Sequence, residues 1–188
     1  MADSGIGLAR QDDHVFLETI LTEFNLARFI PTDCPLCTDR GHMTGVVSWF
    51  LDRDPNTRVA LFSSWYDSVL ANTFLNVPAD AFADALLEQT NTLHQRHPER
   101  FRRFVVDGVQ HTCLLANATG IIGEDINAVE LPPDALTSLL GGGLEIGGLA
   151  TTTLDGVTVG AWIEAFIAND LEHWNDRLAP RGPVPPNE

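Results

Sequence analysis

Residues 101–116 read FRRFVVDGVQHTCLLA, two apolar runs separated by Asp107-Gly108. Asp-Gly fits the two central positions of a tight turn that need positive φ, and its twist matches that of paired strands. The segment therefore predicts a β-hairpin, Phe101–Val106 followed by Val109–Ala116. A second hairpin is predicted upstream. Met43 to Asp52 is rich in β-branched and aromatic residues, Arg53-Asp54-Pro55-Asn56 turns the chain, and Arg58 to Tyr66 returns with Val59, Leu61 and Phe62.

Helical periodicity marks the rest. Phe16, Leu17, Ile20, Leu21 and Phe24 form a stripe over residues 12–29, with Asp12 or Asp13 as cap and Pro31 as stop. Asn76 and Pro78 announce a helix to about His97, with Ala79, Phe82, Ala83, Leu86 and Leu93 on one face and Pro98 beyond it. Pro133 to Leu140 suggests a short helix stopped by Gly141-Gly142-Gly143. A final helix is predicted with Ile163, Phe166, Ile167, Trp174 and Leu178 buried, and Glu164, Glu172, Asn175 and Asp176 in water. The expected fold is α+β: an antiparallel sheet from two β-hairpins with an N-terminal, a central and a C-terminal helix packed on it. Residues 1–10 read as a flexible N-terminus, 11–179 as a single domain, and 180–188 as a disordered Pro-rich tail.

The charge is one-sided. All 11 basic residues are Arg, against 26 Asp and Glu, for a formal net charge of −15. Such a field repels phosphate backbones and anionic lipid, so no nucleic acid and no membrane is expected as partner, and a basic peptide or partner protein is. The N-terminus lacks the charged-then-apolar layout of a secretory signal, which predicts a cytoplasmic protein.

The sharpest chemical motif is the loop at residues 32–47, TDCPLCTDRGHMTGVV. Cys34 and Cys37 form a C-x2-C pair, with His42 after Gly41. These residues resemble the first part of a zinc knuckle, C-x2-C-x4-H-x4-C, and depart from it where Val47 stands in place of the fourth ligand. His111 and Cys113, two apart on a predicted strand, share a face and offer a donor that completes a Cys3His set. Without them, Cys34, Cys37 and His42 would make an open Cys2His zinc site with water in the fourth position. The same residues also fit simple packing, since buried Cys behaves as a small hydrophobe.

Arg96, Arg100, Arg102 and Arg103, in QRHPERFRR, suggest an anion- or partner-binding patch, or else neutralise the protein's own carboxylates. Asp170 with His173, and His94 with His97, stand at helical spacing but fit solvated helix ends. G-x-S-x-G and P-loop motifs are missing, and the glycines of LLGGGLEIGG follow a helix rather than a strand. The element order resembles that of the bacterial secretion-chaperone-like folds, which implies a small acidic partner-binding protein, with a homo-oligomer also left open. The expected function is therefore a chaperone- or adaptor-like binding protein, with a zinc-dependent biosynthetic enzyme as the alternative.

Overall fold

The computed structural model describes residues 1–113 and 148–185. In chain order its elements are β1 (Ala2–Asp3), α1 (His14–Glu23), α2 (Thr44–Arg53), β2 (Val59–Ser64), a π-helical segment (Val69–Leu75), α3 (Ala79–Arg96), β3 (Phe101–Val106), β4 (Thr153–Leu154), β5 (Val157–Thr158), α4 (Val159–Ala168) and β6 (Arg177–Leu178). Four strands join in the order β1-β2-β3-β6, and every pairing among them is parallel. The small β4–β5 pair is antiparallel.

This overturns the antiparallel sheet of two hairpins, for separable reasons. Met43 to Asp52 is the helix α2, not a strand. Its stripe of Thr44, Val47 and Leu51 follows helical spacing, with Leu51 fully buried, while Phe50 stays exposed. Packing of that stripe outweighs the β-preference of Val46, Val47, Trp49 and Phe50. After β3, Gly108 does take positive φ. Both edges of β3 are already occupied, by β2 and by β6, so no returning strand can pair there. The chain instead runs beside the end of β2: Tyr66 N–H donates to the Gly108 carbonyl, and Ser68 N–H to that of Val109.

The helical expectations hold in outline. Asp13 caps α1, its carboxylate accepting from Phe16 N–H. The predicted C-terminal helix is shorter than its stripe implied. α4 ends at Asn169, in the left-handed region, so Trp174 lies in the following turn and Leu178 in β6, while Ile167 is exposed. The suggested helix at 133–140 and the glycines after it lie outside the described residues.

Alternation along the strands builds two cores. On one face Leu61, Phe101 and Val105 meet Phe82, Ala83, Leu86 and Leu93 of α3, with Leu17 of α1, Leu51 of α2, and Ile6 and Ala9 from the first ten residues. On the other, Ala60, Phe62, Phe104 and Val106 meet Val159, Trp162 and Ala165 of α4 and Trp174. The rings of Phe104 and Trp162 stand 5.5 Å apart, edge to face. Each such side chain contributes roughly 1.5–3 kcal/mol by leaving water. The sheet thus has helices on both sides, as parallel sheets require. Among the described residues no helix is long and apolar enough to cross a membrane.

Gly45 fixes where α2 meets the cysteine loop. A Cβ there would stand 2.7 Å from the Leu36 carbonyl carbon and 2.9 Å from Cys37 Cα. Gly45→Ala should therefore destabilise by about 1–3 kcal/mol despite its better helix propensity, read as a lower denaturant midpoint.

Candidate functional site

In open parallel sheets, ligands bind beyond the carboxyl ends of the strands. There the polar residues of this chain gather. β2 runs out into Trp65-Tyr66-Asp67, and β3 into Asp107-Gly108 and then His111-Thr112-Cys113. The Asp67 side chain is wholly buried. It is held by the segment it starts: Oδ1 accepts from Leu70 N–H at 2.9 Å, and its carbonyl accepts from Ala71 N–H. The same carboxylate meets the His111 ring, whose Nδ1 lies 2.9 Å from Oδ1 and 3.0 Å from Oδ2. A carboxylate can only accept, so Nδ1 carries the proton and donates it. Nε2 is left as the nitrogen that exchanges protons. The His111 side chain is 20% exposed, against 0% for Asp67, so the pair has a buried end and an open end.

Neighbouring groups line the same edge. Ser64 Oγ donates to the Gln110 carbonyl, and Gln110 Nε2 to Thr152 Oγ1, which steady the stretch leading to His111. Cys113 is buried; its N–H and its thiol both donate to Asp3 Oδ1, at the end of β1. Burial first, and the Asp3 carboxylate second, push the Cys113 thiol far above the ordinary thiol range, so it is a poor nucleophile. Ser4, in the left-handed region at φ 67°, and Thr112 keep buried hydroxyls with no hydrogen-bond partner among the described residues.

The proposed zinc donors are distributed otherwise. Cys34 and Cys37 are joined in a disulfide, and in that form neither is a thiolate. His42 is buried beneath the loop and accepts at Nδ1 from Ala9 N–H, 3.0 Å away. His111 turns to Asp67 and Cys113 to Asp3. Among the described residues no group of three or more His, Cys, Asp or Glu is placed to hold a metal ion.

The arginines of QRHPERFRR bond to groups of the protein itself, although Arg96 lies at the surface. Arg103 is buried, with Nε and Nη2 on the two oxygens of Asp176 at 3.0 and 2.6 Å, and Nη1 on Thr90 and Asn91. Arg96 grips Asp52 with two bonds. Arg100 donates to the Leu51 and Asp54 carbonyls, and Arg102 to those of Pro98 and Leu171.

Sequence reasoning singled out His111 but not Asp67. The two are 44 residues apart, and nothing in a one-dimensional pattern pairs them. The available signal was positional: a polar residue just past each of two strands, which becomes meaningful once those strands are known to be parallel neighbours.

No family model matches this chain, and no curated protein and no solved structure matches it.

Two outcomes follow. With Cys34 and Cys37 joined and Cys113 buried, the native protein should give no rapid reaction with a thiol reagent; unfolded without reductant it should give one thiol per chain. Burial, as the first cause, holds the His42 pKa below its ordinary value. The neutral ring is therefore the folded form, so its contribution to stability is present above a pH of about 6.5 and is lost as pH falls below it. Urea midpoints should drop between neutral and mildly acid pH, and drop less in His42→Gln.

Proposed function

We propose that this chain is an enzyme of hydrolytic type in which His111 is the general base and Asp67 its positioning residue. The observation that supports it is the bond from His111 Nδ1 to a wholly buried carboxylate at the carboxyl edge of a parallel sheet. That bond selects the tautomer with Nε2 free and stabilises the imidazolium formed when Nε2 takes a proton. The reaction is acyl transfer to water or a hydroxyl: Nε2 removes the proton as the oxygen attacks a carbonyl carbon, then returns it to the departing oxygen or nitrogen. Acid before histidine, each after successive parallel strands, is also the chain order of the α/β-hydrolase triad, an analogy of arrangement.

A second reading is supported by the surface. The net charge of −15 and the exposed Phe24, Phe29 and Leu36 favour binding of a basic partner chain.

Hydrolysis of a chromogenic acetate ester over pH 5–9 tests the first reading. Wild type should hydrolyse the ester, and His111→Gln should lose about 10²-fold or more of the rate. Asp67→Asn should fall comparably, since the imidazole loses the carboxylate that orients it. Equal rates in wild type and His111→Gln, with both folded by circular dichroism, would reject it.

A further inference from the structure

A cleft of about 270 Å³ opens between the disulfide loop, α2 and α3, away from the Asp67–His111 pair. Its walls include Pro35, Leu36, Trp49 and Leu93, and its polar lining includes Asp33, Asp39, Ser48, Asp52, Gln89 and Arg96. Engineered cavities of about 150 Å³ already hold benzene, while clefts for whole ligands run from about 300 Å³. This volume therefore suits one long side chain.

Three features decide its chemistry. The stem of a ligand would lie on Leu36, Leu93 and Pro35, and Leu36 is 62% exposed, as a surface awaiting cover. The lining carries three carboxylates. Asp33 is paired with Arg53 and Asp52 with Arg96, whereas Asp39 has no ion-pair partner among the described residues. Trp49 already packs one cation, the Arg53 guanidinium 4.3 Å from its ring centroid. Among the described residues its buried Nε1–H has no partner, and Ser48 makes no side-chain hydrogen bond. The chain's own charge of −15 draws cations toward it from outside.

We propose that this cleft is the anchor site for an Arg or Lys side chain of a basic peptide segment, its methylenes on Leu36 and Leu93 and its charge at Asp39 beside Trp49. The proposal rests on the partner-binding reading and is independent of the acid–base one. Gly45, packed directly against Leu36 and Cys37, and the Cys34–Cys37 bond hold the cleft's roof in place.

The protein carries its own reporter. Trp65, Trp162 and Trp174 are buried, so Trp49 is the part-exposed indole among its four tryptophans. Acetyl-Leu-Arg-Ala-Arg-Leu amide, which has no chromophore, should shift the tryptophan emission saturably at millimolar or lower concentration and bind more weakly in added salt. The same peptide with citrulline for arginine should fail to bind, and n-butylguanidinium should bind more weakly than the peptide. Asp39→Asn, an exposed change on a short turn, should weaken binding about fivefold. Trp49→Leu, followed by calorimetry, should weaken it as well. Peptide binding that neither variant alters would overturn the cleft while leaving a basic partner in place. No binding of the arginine peptide would overturn both, and citrulline binding equally well would overturn the charge argument.

Discussion

The parallel pairing of Val59–Ser64 with Phe101–Val106 is the constraint on which the other elements hang. Parallel strands cannot be joined by a tight turn, so the chain between them must leave the sheet, cross it and return. That crossing contains α3, which covers one face. Because alternate residues point to opposite faces, the same six-residue register that sets Leu61 and Val105 under α3 sets Phe62 and Phe104 under α4. Parallel pairing also sends both strands out at the same end. The polar residues following each strand, Asp67 and His111, consequently meet although they are distant in the chain.

Charge inside the fold is handled by the same sheet. Arg103 lies on β3 and is removed from water, a costly placement unless every donor is met. Asp176, Thr90 and Asn91 accept from all three of its side-chain nitrogens, tying β3 to α3 and to the turn before β6. Arg96, Arg100 and Arg102 likewise spend their forks on local carboxylates and carbonyls. The outward-facing surplus is therefore acidic, and the cationic cluster evident in the sequence is largely consumed within the molecule.

Much of the secondary structure was legible. Asp13 and the Leu17 stripe marked α1, Pro78 and the Phe82–Leu86–Leu93 face marked α3, and the β-branched residues of 58–66 and 101–106 marked two strands. Residues 43–52 were misleading because β-branched and aromatic residues state a preference worth only about 1 kcal/mol, which packing of Val47 and Leu51 exceeds. Asp107-Gly108 was misleading because a turn residue specifies local φ and not the destination of the chain that follows. Of the candidate site, His111 was visible and Asp67 was not.

Local chemistry thus marked the helices other than α2, the strands β2 and β3, the acidic surface and the list of reactive side chains, since caps, periodicity and charge act over a few residues. Which strand lies beside which, in what direction, and so which carboxylate faces which imidazole, came from burial of two apolar faces at once. That is a property of residues far apart in the chain, and no window along it contains both partners.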